Sequence, residues 1–192
     1  GTVYVTVAET WNGSAWTEVS DLPAARSAGS GSGTSTAMIA SGGIGPPGST
    51  TPYGRVQSWD GSSWTEIADL NSARYAVGSS GTQTSALVFG GSPEPSMTNN
   101  TETWDGSAWT EVNNLNTARG YIAGAGAQTF ALAYAGLAGS SYKTVTESWN
   151  GTSWTEQNDM STARFNSGDG GSAIGAIAYG GSIPGNMTNV TE

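Results

Sequence analysis

The 192-residue chain contains no cysteine and no histidine. That removes the thiolate nucleophile, the commonest general base and the commonest metal ligands. Carboxylates, guanidiniums, hydroxyls and indoles remain. Glu102 with Glu111, and Glu147 with Glu156, are spaced so that a hairpin would set two acids opposite one another, the pairing used in glycoside hydrolysis. The pair recurs along the chain, whereas a catalytic pair is needed once, so a solvated hairpin face or an arginine partner is the expected role. Asp60 and Asp105 lie in Asp-Gly loops but lack the further acidic ligands that Ca²⁺ requires. The expectation is therefore no enzyme: no catalytic residue, no cofactor and no metal site.

Arg26, Arg74, Arg119 and Arg164 recur in phase, and so do Glu18, Glu66, Glu111 and Glu156. With only 6 Lys and Arg against 15 Asp and Glu, phased opposite charges read as structural ion pairs, or as arginines bonded to loop carbonyls. These arginines also stand as ligand-binding candidates, together with Tyr75, Tyr121 and Phe165. The residues after each Arg vary (Ser27, Tyr75, Gly120-Tyr121, Phe165) within a repeated frame, and variation on a fixed scaffold is where a binding site is written. The eight tryptophans form the pairs Trp11/Trp16, Trp59/Trp64, Trp104/Trp109 and Trp149/Trp154. Such pairs can stack on sugars, but identical phase in every repeat reads as core.

The net charge of −9 carries no basic patch for nucleic acid, and no apolar run is long enough to span a membrane. Val, Ile, Leu and Phe total only 26 residues, a composition associated with disorder, yet eight Trp and seven Tyr argue for order through a few large side chains. Asn12, Asn99, Asn150, Asn186 and Asn189 begin Asn-x-Ser/Thr triplets, a number expected by chance in a chain so rich in these residues.

Around the Trp pairs the chain reads ETWNGSAWTEVSDLPAAR, QSWDGSSWTEIADLNSAR, ETWDGSAWTEVNNLNTAR and ESWNGTSWTEQNDMSTAR. The first Trp of each pair is followed by the next after 48, 45 and 45 residues. The repeats run over about 11–58, 59–103, 104–148 and 149–192 of one domain, with 1–10 as an extra N-terminal strand. A period near 45 residues without helical patterning points to a stacked all-β unit of four short strands. The Asn/Asp-Gly loop makes a hairpin with the Trp pair nearest the turn. The Gly/Ala/Ser stretch and the following MIASGG, LVFGG, LAYAG or IAYGG make a second hairpin.

Four strands per repeat around an axis describe a β-propeller. The succession Trp-Asp, turn, Trp-Thr, L-[PN]-x-A-R, Gly-rich strand and Gly-Gly resembles the kelch repeat over essentially the whole chain. It is most similar to the compact Ser/Thr/Gly-rich arrays of phage and bacterial surface or virion proteins. The resemblance implies a propeller of four kelch-like four-stranded blades, or part of a larger ring. It also implies an extracellular or virion location, in a phage tail or appendage. The partner would be a protein of a larger assembly or a cell-surface glycan, as an adhesin or a carbohydrate-binding lectin would have; a purely architectural repeat is the remaining alternative. Kelch rings with copper oxidase activity need His and Cys, so that activity does not carry over.

Residues 2–9 and 186–192 resemble the same edge strand and compete for one position. The expectation is a closed ring in which the N-terminal strand takes that position. The C-terminal MTNVTE would then be displaced or exchanged with a neighbouring subunit.

Overall fold

A computed structural model describes residues 4–45, 51–183 and 186–187. Among them every regular element is a strand. In chain order these are β1 (Ala8–Trp11), β2 (Trp16–Val19), β3 (Ser30–Thr34), β4 (Ala37–Ser41), β5 (Val56–Trp59), β6 (Trp64–Ile67), β7 (Gly78–Thr82), β8 (Ser85–Phe89), β9 (Thr101–Trp104) and β10 (Trp109–Val112). There follow β11 (Ala123–Ala127), β12 (Phe130–Tyr134), β13 (Leu137–Ala138), β14 (Ser141–Tyr142), β15 (Thr146–Trp149), β16 (Trp154–Glu156), β17 (Gly168–Ser172), β18 (Gly175–Tyr179), β19 (Ser182–Ile183) and β20 (Asn186–Met187).

Each Trp pair closes its own hairpin, with Trp11 opposite Trp16, Trp59 opposite Trp64, Trp104 opposite Trp109 and Trp149 opposite Trp154. The turn is held by its first residue. Asp60 Oδ1 accepts the Ser62 and Ser63 amides at 2.8 Å, and Asp105, Asn12 and Asn150 repeat the arrangement. This side-chain mimic of a backbone turn is why Asp or Asn precedes Gly in every copy. These bonds hold the Asp60 carboxyl at about 2, the Ser63 amide first among them, and they pull Asp105 down too. A depressed pKa means that the turn's contribution is present above the ordinary carboxyl range and lost as pH falls through about 2. A ¹³C carboxyl titration of Asp60 should show its midpoint there; a midpoint near 4, the ordinary value, would contradict the turn geometry.

The second hairpin of one repeat joins the Trp hairpin of the next through the β4–β5, β8–β9 and β12–β15 ladders. The result is three four-stranded antiparallel sheets, β3-β4-β5-β6, β7-β8-β9-β10 and β11-β12-β15-β16, each straddling two sequence repeats. Of the four four-stranded sheets expected, three are complete among the described residues. Four hairpins of each kind, joined across repeat boundaries, leave β1–β2 and β17–β18 as two-stranded sheets at the ends. Among the described residues no ladder joins β18 to β1. Of the C-terminal segment, Asn186–Met187 pairs back on Ser182–Ile183 as β20 on β19; residues 188–192 lie outside the described residues.

The apolar core lies between successive sheets. Ile39, Val56, Leu70, Val88, Trp104 and Trp109 fill the first interface, and Leu87, Phe89, Leu115, Ile122, Trp149 and Trp154 the second. Neighbours Leu87 and Val88 enter opposite interfaces, as alternation on a strand buried on both faces requires. Each innermost strand is crowded against the next, β3 on β7, β7 on β11 and β11 on β17. Small residues permit this approach. At Gly124 on β11 an added Cβ would lie 2.6 Å from the Ser79 carbonyl of β7.

Candidate functional site

The arginines are where repetition meets burial. Arg74, Arg119 and Arg164 are fully buried, and Arg26 is partly so. Each reaches from the loop before an inner strand to carbonyls of the strand beside it: Ala40 at 3.2 Å, Val88 at 3.5 Å, Ala133 at 3.1 Å and Gly180 at 3.3 Å. Their acidic partners are Glu102 for Arg74 and, at 3.1 Å, Glu147 for Arg119. The glutamates of the Trp-Thr-Glu strands do not fill this role: Glu111 and Glu156 are exposed, and Glu66 meets Arg55 at 3.9 Å on the surface. Glu102 and Glu147 are thus buried anchors, taking the arginine-partner role of the two alternatives, whereas Glu111 and Glu156 lie on the solvated face.

The anchor also holds the connecting loop. Glu102 Oε2 accepts the backbone amide of Asn71 at 2.8 Å and its side-chain amide at 3.0 Å, and Glu147 Oε2 accepts the same groups of Asn116 at 2.7 and 2.9 Å. In the first repeat Pro23 replaces the asparagine and offers neither donor, and the partner of Arg26 is neutral Gln57, with Nη2 to Oε1 at 2.5 Å. Loop donors and acceptor charge change together. Glu192 holds the corresponding register position for Arg164 but lies outside the described residues. Burial lowers the pKa of Arg119, and burial followed by the Arg55 charge lowers that of Arg26. The guanidiniums of Arg74, Arg119 and Arg164 are therefore buried within the scaffold.

Five tryptophans, Trp59, Trp104, Trp109, Trp149 and Trp154, are buried, and Trp64 is intermediate. The indole N–H of Trp59, Trp104 and Trp149 donates to the Ser35, Gln83 and Gln128 carbonyls at 3.0, 3.1 and 2.8 Å. Trp11 and Trp16, in the end hairpin β1–β2, are 48% and 66% exposed.

Tyr75, Tyr121 and Phe165 are brought together at one end of the inner strands. Tyr75 meets Tyr121 with centroids 6.1 Å apart, and Tyr121 meets Phe165 at 5.4 Å, both edge to face. Tyr142 on β14 extends the row, 5.1 Å from Phe165. It was missed in the sequence because the segment that carries it varies between repeats and has no phase to follow. The Tyr75 hydroxyl donates to Glu94; desolvation first, then that bond, pushes it up to about 12. Tyr121, Phe165 and Tyr142 stay partly exposed.

Beside this row runs a second repeated feature, seen only in the structure. Ala28, Ala76, Tyr121 and Asn166, each two residues after its arginine, have φ of 54°, 55°, 53° and 53°. Such values are uncommon outside glycine. They aim backbone groups from repeat to repeat: the Ala76 amide donates to Ala28, Tyr121 to Ala76 and Asn166 to Tyr121, at 2.8, 2.7 and 3.3 Å. These residues, with Ser30, Ser167 and Asp169, line a half-open pocket of about 160 Å³ to which all four repeats contribute. Among the described residues no cluster of three acidic side chains is placed to hold a metal ion. Comparison with protein-family models and with curated protein sequences finds no match for this chain.

Proposed function

We propose that the chain forms kelch-like β-propeller blades and acts as a non-enzymatic recognition module of an extracellular or virion assembly. The observation that carries this reading is the aromatic row Tyr75–Tyr121–Phe165–Tyr142. Its members break the repeat on a scaffold whose arginines, glutamates and tryptophans keep it. Partly exposed aromatics on a rigid frame bind at low entropic cost, either to a protein or to the apolar face of a sugar. The low charge density and net acidity suit a surface that stays soluble and avoids nucleic acid.

Mass spectrometry of purified particles and of the surface fraction of the source culture should recover peptides of this chain. Recovery from the cytosol alone would overturn the reading. A glycan array then separates the two partner classes. A signal abolished by Tyr121→Ala with Phe165→Ala identifies a lectin, and a blank array with particle recovery leaves a protein partner or a purely architectural role.

A further inference from the structure

All six cationic side chains belong to the described residues, and their positions are set: Arg26, Arg74, Arg119 and Arg164 in the sheets, Arg55 against Glu66 and the Tyr53 ring, and Lys143 on the strand bridge to Arg164. None forms an ion pair with Asp169, although this acid occurs once, at the second position of β17, where the other inner strands carry Gly31, Ser79 and Gly124. Its Oδ2 accepts the Gly124 amide at 2.8 Å, and Oδ1 has no partner among the described residues. Desolvation raises the pKa of this carboxyl against the pull of the Gly124 bond. Ser167, on the same pocket wall, has a buried Oγ with no hydrogen-bond partner. The Ser30 hydroxyl is engaged by Ser79 at 2.7 Å, and Tyr121 also lines the pocket.

We propose that this pocket takes a primary ammonium group, presented as the lysine side chain of a partner, with Asp169 as counter-ion, Ser167 Oγ as a second acceptor and Tyr121 against the stem. Three considerations select that chemistry. Asp169 is exposed, and a carboxylate with one unpaired oxygen favours a cation over a neutral donor of the same size. An ammonium brings three donors and no acceptor, matching the unused Asp169 oxygen and the Ser167 hydroxyl, which can accept as well as donate. An aromatic face beside the charge adds cation–π attraction. The inference rests on the recognition reading and sharpens it to one ligand group.

The test is a ¹H–¹⁵N titration of the whole chain at low salt with Nα-acetyl-lysine N-methylamide. The uncharged norleucine derivative, which ends one heavy atom short of the ammonium, n-butylammonium and methyl β-glucopyranoside serve as comparison probes. The lysine derivative should move the Gly124, Asn166 and Ser167 amides, with a Kd on the order of millimolar for one isolated contact. Asp169→Asn, which keeps an oxygen for the Gly124 amide, should weaken binding tenfold or more, and added NaCl should weaken it further in the unmodified chain. Ser167→Ala should weaken it by a smaller factor.

Binding of n-butylammonium equal to that of the lysine derivative also supports the assignment, with the ammonium rather than the peptide as the feature read. No shift at Gly124, equal shifts with norleucine, or an unchanged Asp169→Asn would overturn it, as would preference for the glucoside. If these probes fail while Tyr121→Ala with Phe165→Ala still abolishes array binding, the ammonium site alone falls. If particle recovery fails as well, the recognition reading falls with it.

Discussion

Trp104→Ala should lower the unfolding free energy by about 3–5 kcal/mol, the range for deleting a large ring from a packed interior. Trp104 is 3% exposed, packs between the first two sheets, meets Trp109 at 5.3 Å and donates its indole N–H to Gln83. Truncation removes the ring and leaves the Gln83 carbonyl without that donor. Trp16→Ala provides the internal control: it has the same sequence phase as Trp109 but is 66% exposed in the end hairpin. Urea denaturation of both variants should therefore give a large shift in midpoint for Trp104→Ala and a small one for Trp16→Ala. Equal small shifts would refute the core role of the Trp pair and return it to the list of ligand platforms.

Glu147→Ala should be comparably costly, again about 3–5 kcal/mol, because it strands the buried Arg119 charge. It also removes the acceptor of both Asn116 donors, releasing the loop that leads into β11. Glu147→Gln should cost distinctly less. The first repeat already operates with a neutral acceptor, Gln57 on Arg26, so amide in place of carboxylate is compatible with the sheet. Since Arg119 and Glu147 are both 0% exposed, the cost of Glu147→Ala should hardly change between low and high salt. A cost that vanished in salt would place the pair at the surface, contrary to its burial.

The Trp hairpins were legible in the sequence down to their register, because Asn/Asp-Gly fixes the turn and the five-residue spacing fixes the cross-strand pair. The inner hairpins were legible from Gly alternation. The sheet boundaries were not, since a sequence repeat has no preferred starting point and the boundary drawn between Thr103 and Trp104 cuts β9 before its last residue. Burial of Glu102 and Glu147 was hidden for a different reason. On a hairpin that is solvated elsewhere, only the constant separation of 28 residues from Arg74 and Arg119 marks these two glutamates as partners. Of the candidate site, Tyr75, Tyr121 and Phe165 were visible as departures from the repeat. Tyr142 and Asp169 were not, each occurring once in a segment with no repeated counterpart of the same type.

The interlocking of each sheet from two successive repeats has a genetic consequence. Unequal recombination between copies removes or adds one period of about 45 residues, and the crossover can fall anywhere within the homologous stretch. Because each of the first three inner hairpins docks on the Trp hairpin that follows it, a junction among them rejoins matching halves. An array built this way can lengthen or shorten by whole units without leaving an incomplete sheet in its interior. The residues that vary from copy to copy travel with each unit as an exchangeable set.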